Sequence, residues 1–361
     1  LVKCCEERRA IVKAETGSGK TAIIAALIAV YDLPTLILVP NNTVLRQLIT
    51  ELQKILIDDN NGLFIGDHHS GHPKVLVSLA RNLVKTDDKF LQQYPLLIAD
   101  EVHHTGASQA QEVIRRNNAP FRFGLTGTPT GRSDNKDLLI IGLFGTIIEI
   151  IDHKDLKREG FHPEIETSIH YVGFHSHYEE MEDLLIVNNL RRNQLIIDIT
   201  RKEVKEEGIS LILVRRIEHG RNLYCMLISD PPQGKIVHYV DGDTSVEQRE
   251  NIRQECREGK VSVIIATSVF SAGLDIPELT VGINAAGGKA EILTQQKLGR
   301  MMRPFEDRIK RFIDFYDDLY PTLVRHSNER AVIYKQKSDK LNLIGFPSDK
   351  QQKIEDVLRE V

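Results

Sequence analysis

Cysteine is scarce in this chain, with four residues at positions 4, 5, 225 and 256 among 361. None forms a C-x-x-C pair and no histidine completes a zinc pattern around them, so neither a disulfide scaffold nor a structural zinc site is expected. Reduced thiols of an intracellular protein are the reading that remains. No apolar run approaches the ~20 residues a membrane span needs, and no secretory leader is visible. No short repeat or low-complexity tract appears either. Charge of one sign is also lacking, at a net −4. Bulk electrostatics therefore do not announce a nucleic-acid binder, although a basic channel can sit on an acidic body. The expected compartment is the cytoplasm, or the nucleus if the source is eukaryotic.

What is present is enough apolar residue, 41% of the chain, for two cores of ordinary size. Short apolar runs alternate with helical patterns, as in parallel α/β sheets. The first half reads as strand 9–15, helix 20–30, strand 35–39, a helix with Leu45, Leu48, Leu52 and Ile55 on one face, and strands 74–79, 96–99 and 123–125. Segment 147–177 is strand-like and charged, and is read as the crossing between domains. Alternation then restarts with helix 183–206, strand 210–214, helix 218–229, strand 235–239, helix 246–258, strands 261–266 and 281–285, helix 292–302 and a last strand 311–315. From Ser338 the tail is polar and ends in a short amphipathic helix. Two successive doubly wound halves are the simplest account.

AETGSGKT (14–21) lies between the first strand and the first helix, where backbone N–H groups and the positive helix end face phosphates. Thr16, Gly17, Ser18 and Gly19 form the cradle, Lys20 reaches the β/γ-phosphates, and Thr21 offers a hydroxyl to Mg2+. By itself this loop fits a kinase, a transporter ATPase or a GTPase equally well. LLIADEVH (96–103) ends a buried strand with two acids. Asp100 can hold the Mg2+ shell while Glu101 polarises water, and a second acid for water favours hydrolysis. His103 is read as a coupling residue touching the 127–129 turn or the second domain, in preference to a metal ligand. His68, His69 and His72 read as a solvated turn.

Here a resemblance becomes specific. DEVH (100–103) resembles the second motif of DExH-type superfamily 2 helicases, LTGTP (125–129) their third, and VPNNTVLRQ (39–47) the motif that touches the nucleic-acid backbone. LILVRRIEHG (211–220), IIATSVFSAGLDIP (264–277) and QKLGRMMR (296–303) resemble the fourth, fifth and sixth. The variants resemble those of DNA translocases of the XPB and T-even-phage branch-migration kind, and less those of DEAD-box or DEAH RNA helicases. GGKAE (287–291) and IDFYD (313–317) strengthen that placement.

The resemblance implies two tandem RecA-like doubly wound parallel-sheet domains, at 1–165 and 166–345, with a C-terminal helix at 346–361. It implies ATP with Mg2+, and Gln296, Arg300 and Arg303 acting with Glu101 and Lys20 in catalysis. Three apart on a helix, Arg300 and Arg303 share a face and can act as arginine fingers. Gly273 and Asp275 join the nucleotide set, and Thr126 and Thr128 join His103 in coupling. Pro40, Asn41, Arg46, Gln47, Ser78, Arg81, His219 and Thr267 are expected on nucleic acid, DNA before RNA, with 3′ to 5′ movement. In VLVSLAR (75–81) the family's usual Thr aligns with Leu79, so Ser78 or Arg81 stands in. The chain opens at Leu1, not Met, and no Gln precedes the phosphate loop to read adenine, so a fragment is expected. A restriction-assembly motor, an RNA helicase and an ATP-controlled clamp without catalysis are the other readings. Intact Lys20, Glu101, Arg300 and Arg303 speak against the last. No motif names a loading, recombination or repair partner.

Overall fold

The computed structural model describes residues 2–14, 19–57, 63–102, 108–127, 137–151, 163–173, 183–204, 208–267, 276, 278–288 and 309–359. They form two compact units, Leu1–Arg158 and Glu159–Val361. The first runs α1 (Val2–Glu6), β1 (Arg9–Ala14), α2 (Lys20–Tyr31), β2 (Thr35–Leu38), α3 (Asn42–Leu56), β3 (Ile65–Gly66), β4 (Val75–Ser78), α4 (Ala80–Leu83), α5 (Asp88–Leu91), β5 (Leu96–Asp100), α6 (Ser108–Asn117), β6 (Phe121–Thr126), α7 (Asp137–Phe144) and β7 (Thr146–Ile151). Its strands form one parallel sheet in the order β3-β4-β2-β5-β6-β1-β7.

Alternation along β1 shows why helices cover both faces. Ala10, Val12 and Ala14 point into one apolar cluster with Ile24, Leu27, Leu45, Leu48 and Leu52 of α2 and α3. Ile11 points into the other, with Val113 and Ile114 of α6 and Ile140 and Phe144 of α7. Successive side chains on a strand face opposite ways, so β1 needs a cover on each side. Each fully buried Leu on α3 contributes roughly 2 kcal/mol, which fixes that helix along its whole length. Asn41 caps it, its Oδ1 accepting from the Val44 N–H at 3.0 Å.

The second unit runs β8 (Ile165–Val172), a π-helical turn (Asp183–Val187), α8 (Leu190–Glu203), β9 (Ile209–Val214), α9 (Ile217–Ile228), a 3-10 turn (Pro232–Gly234), β10 (Ile236–Val240), α10 (Val246–Arg257), β11 (Val261–Thr267), β12 (Leu279–Asn284), β13 (Lys310–Asp317), α11 (Pro321–Lys337), β14 (Lys340–Ile344) and α12 (Ser348–Arg359). Its sheet is again parallel, β10-β11-β9-β12-β13-β8-β14. Here too one apolar cluster lies on each face, with Leu211 and Leu213 in one and Ile212 and Val214 in the other. Together the two units are α/β, each a doubly wound parallel sheet, as expected.

Three local expectations change. Segment 147–177 is not a plain crossing: β7 lies at the edge of the first sheet and β8 lies inside the second, between β13 and β14. The tail after Ser338 opens with an edge strand, β14, paired along β8. The expected helix over 183–206 breaks at Asn188 and Asn189, where the Asn189 side chain accepts from the Arg192 N–H and starts α8 afresh. The expected helix over 292–302 lies outside the described residues.

Two buried ion pairs hold β13 to its neighbours. Arg192 donates to Asp317 at 2.8 Å and to the Ala285 carbonyl at 2.9 Å. Arg330 donates to Asp314 at 2.7 Å and to the Gly288 carbonyl at 2.8 Å. Tyr334 and Asn284 complete the shell of Asp314. Buried charges persist only when paired and hydrogen-bonded in this way. All four cysteines are free thiols. Among the described residues no helix is long and apolar enough to cross a membrane.

Candidate nucleotide and metal site

The site lies at the C-terminal ends of β1, β5 and β6, where side chains in an open parallel sheet face a ligand crevice. β6 sits between β5 and β1, with Asp100 in register with Leu125 and Lys13 with Thr126. Gly19 takes φ +77 as α2 begins, a left-handed conformation that glycine adopts without steric cost. Its carbonyl accepts from Ala22 and Ile23, so the first turn of α2 starts cleanly and presents Lys20 and Thr21. Thr16, Gly17 and Ser18 lie outside the described residues.

Lys20 donates to the Glu101 carboxylate, a part-buried ion pair between residues 81 apart in the chain. Glu101 holds φ +50, a conformation that costs about 1 kcal/mol or more for a residue with a side chain. Its N–H donates to Asp100 Oδ1 at 3.1 Å, which fixes the turn. Behind it Val102 is fully buried and lies against Gly124 on β6. A Cβ there would meet Val102 Cγ2 at 2.7 Å. The glycine is thus what lets the chain fold back over β6 and aim Glu101 at Lys20.

Electrostatics set the site's needs. Burial and the neighbouring Glu101 charge push the Asp100 carboxyl up to about 6, against the pull of Lys20. Burial works against the Lys20 ammonium, but the Glu101 and Asp100 charges outweigh it and raise its pKa. The Thr21 hydroxyl and Asp100 carboxylate are hard oxygen donors of the kind Mg2+ takes alongside phosphate oxygens. A divalent cation would also relieve the crowding of carboxylates around one lysine, so the residues fit the ion. Among the described residues no three of His, Cys, Asp or Glu are arranged to hold a metal alone.

Glu51, which sequence reading missed, belongs to this constellation. It stands on α3, where its Oε2 accepts from the Thr21 hydroxyl at 2.9 Å and its Oε1 from Gln47 Nε2 at 2.8 Å. The one signal in the sequence is its place four residues after Gln47 on an amphipathic helix.

The remaining expected residues are less concentrated. Pro40 and Asn41 are half-buried between β2 and α3, and Arg46, Gln47 and Arg81 are exposed on α3 and α4. Thr126 is buried at the end of β6. Ser78 is buried, its hydroxyl donating to the Leu79 carbonyl. Thr267 is buried, with no partner for its hydroxyl among the described residues. His219 differs from the expectation of a surface contact. It is 1% exposed, and its Nε2 bonds Asn193 Oδ1 at 2.9 Å. Burial, helped by Arg192, holds its pKa down at about 3. A neutral ring that closes an internal hydrogen bond explains why it turns inward. His103, Thr128, Gly273, Asp275, Gln296, Arg300 and Arg303 lie outside the described residues.

The chain resembles known proteins across both units. Residues 3–131 match the type III restriction enzyme, res subunit family, and residues 168–304 match the helicase conserved C-terminal domain. The chain is 24% identical over 318 residues to the ATP-dependent DNA helicase uvsW of Enterobacteria phage T4, covering 82% of this chain and 62% of that one. It therefore spans less than two thirds of that relative's length. It is 25% identical over 337 residues to the DNA 3'-5' translocase XPB2 of Sulfurisphaera tokodaii, covering 82% and 75%. The solved structure of S. cerevisiae Dbp5 bound to RNA and ADP BeF3 shares the fold of two tandem RecA-like domains, with a TM-score of 0.63 at 16% identity, covering 98% of this chain and 89% of that one. A res-subunit match followed by a helicase C-terminal match, on two parallel sheets, assigns residues 3–131 and 168–304 to those two domain families, and the pairing resembles superfamily 2 helicases of the XPB and T-even-phage group.

Proposed function

We propose that the chain is a nucleic-acid-dependent ATPase that couples hydrolysis to movement on duplex or branched DNA. The observation that carries this reading is the convergence of Lys20, Thr21, Asp100 and Glu101 at the C-terminal ends of the central strands, in a chain whose relatives include named DNA helicases and translocases. The Lys20–Glu101 pair keeps the base occupied until nucleotide arrives. Phosphate oxygens then compete for Lys20, and Glu101 is released to take a proton from the water that attacks the γ-phosphorus as ADP leaves. Mg2+, held through Thr21 and Asp100, would neutralise charge building on the β- and γ-phosphate oxygens.

Arg300 and Arg303 are proposed to supply the remaining positive charge, with Gln296 acting in catalysis and Gly273 and Asp275 in nucleotide binding. Pro40, Asn41, Arg46, Gln47 and Arg81 are proposed to grip the phosphate backbone without reading bases. His103, Thr126 and Thr128 are proposed to couple that grip to the nucleotide. Pro40 and Asn41 lead into α3, and Arg46 and Gln47 are exposed in its first two turns, which supports a shared surface.

The test is ATP hydrolysis with no effector and with duplex, single-stranded, forked and RNA effectors. A low basal rate that rises at least tenfold with DNA is expected; equal rates in every arm would end the motor reading. The match of residues 3–131 to a restriction-enzyme subunit favours, as a second reading, the motor of a restriction assembly. Such a motor would answer only to DNA carrying one recognition sequence, whereas the leading reading responds to DNA of any sequence.

A further inference from the structure

Glu51 is a half-buried carboxylate that forms no ion pair among the described residues, though it stands beside a site built around a lysine. Its two oxygens are taken by two neutral donors that lie on opposite sides of it. One is the hydroxyl of Thr21, in the first turn of α2, and the other is the side-chain amide of Gln47, one turn earlier on α3. Leu45, Leu48 and Leu52 bury the adjoining face of the same helix, so the Glu51 backbone is anchored and its carboxylate has a fixed starting point.

A hydroxyl that ligates a cation must offer a lone pair and send its proton elsewhere. In this chain the proton goes to Glu51 Oε2, which turns the free lone pairs of Thr21 away from α3. The amide of Gln47 carries two N–H groups, of which one is given to Glu51 Oε1. The second can be given to a phosphate oxygen at the exposed end of α3. A backbone phosphate bound there would fix Gln47, Gln47 would fix the carboxylate, and the carboxylate would fix the hydroxyl.

We propose that Glu51 is a positioning residue of the nucleotide site: it orients the Thr21 hydroxyl for a Mg2+-nucleotide and links it to Gln47 on the nucleic-acid side. The link to Gln47 rests on the nucleic-acid-driven activity proposed above, while the Thr21 contact stands on its own geometry. Ordinary bracing of α2 against α3 would use the same two hydrogen bonds but would be indifferent to Mg2+.

The full chain and its variants Glu51→Ala, Glu51→Gln and Gln47→Ala are therefore titrated with a fluorescent ATP analogue, once with Mg2+ and once with EDTA. Removing the partner that orients a metal ligand typically costs ten- to a hundredfold in affinity. Glu51→Ala is expected to lose roughly tenfold with Mg2+ and less than about twofold with EDTA. Glu51→Gln, whose amide oxygen still accepts from Thr21 and whose N–H2 can meet a flipped Gln47, should stay within about threefold of the parent. With saturating duplex DNA, so that weaker binding is not read as weaker coupling, Gln47→Ala should show a stimulated-to-basal ATPase ratio about fivefold lower. Equal losses with Mg2+ and EDTA, or none with either, would overturn the Thr21 role, and an unchanged ratio in Gln47→Ala would overturn the relay. A parent chain that no nucleic acid stimulates sinks the motor reading and the relay together, and the Mg2+ titration still decides the Glu51–Thr21 contact.

Discussion

Replacing Gly124 by alanine tests how Glu101 is aimed. Gly124 sits inside β6 with ordinary strand backbone, so the added methyl carries no conformational penalty of its own. It would lie 2.7 Å from Val102 Cγ2 and 2.9 Å from Val102 Cβ, where ordinary contact begins near 3.4 Å. Val102 must therefore retreat by about 0.7 Å, into a fully buried cluster with no slack, at an overpacking cost of about 1–3 kcal/mol. Val102 directly follows Glu101, whose backbone is already held at φ +50, so the retreat is passed to the carboxylate. Displacement of a reacting group by on the order of 1 Å can cost about a hundredfold in rate. Gly124→Ala should lower DNA-stimulated kcat by about ten- to a hundredfold, with nucleotide affinity within about threefold because Gly19 and Lys20 are untouched. The control is Gly142→Ala on α7, where a Cβ meets nothing within 4 Å; it should raise stability by about 0.5–1 kcal/mol and leave turnover alone. Steady-state hydrolysis, analogue binding and thermal melts on the three proteins decide the matter. Turnover of Gly124→Ala within twofold of the parent would refute the claim that this contact positions the base.

Other expectations concern separate parts of the chain. Glu101→Gln should bind ATP yet hydrolyse it at least about a hundredfold more slowly, and near-normal turnover in a single-turnover assay would remove Glu101 from its role. His219 has its pKa lowered from 6.5 to about 3, so between those values the unfolded chain binds the extra proton. Its contribution is present above about pH 6.5 and is lost as pH falls, by about 2 kcal/mol between about pH 7 and pH 5. His219→Gln should flatten that part of the pH–stability curve, and an unchanged slope would count against the buried neutral ring. Ser245 caps α10 in a reciprocal pair with Gln248. Ser245→Ala should cost about 1 kcal/mol in denaturant midpoint, and no shift would mean the cap is not holding the helix.

Much of the architecture was legible because period and punctuation agreed. Leu45, Leu48 and Leu52 at helical spacing, and four- to six-residue apolar runs ending in Gly or Pro turns, translate directly into α3 and the central strands. The elements that escaped did so for physical reasons. β8 alternates buried Ile165, Thr167 and Ile169 with half-buried Glu166, Ser168 and His170, so its charge imitates a linker although strands flank it on both sides. In α11 the buried stripe is Leu323, Ser327, Arg330, Ala331 and Tyr334. The spacing is helical, but a serine and an arginine interrupt its apolar character because they serve Asp314 and Asp317. IDFYD (313–317) was noticed as a family feature, and its acids prove to be the buried partners of Arg330 and Arg192. At the site, Lys20, Thr21, Asp100 and Glu101 were legible because motif spacing encodes them. Glu51 and Gly124 were not, since each meets the site through a residue far off in sequence, Thr21 for the one and Val102 for the other. His219 misled because a histidine in a motif looks the same whether its ring faces solvent or an internal asparagine.

The strand order of the second unit also shapes how the protein is made. β8 is the first strand of its sheet to leave the ribosome, yet both of its partners come late: β13 begins about 145 residues after it and β14 about 175. At ordinary elongation rates the nascent chain would carry β8 with both edges open for on the order of ten seconds or more. The strands β9 to β12 could meanwhile assemble among themselves. Unpaired strand edges invite wrong partners, so the interval before β13 and β14 emerge is when this chain most needs shelter from its neighbours.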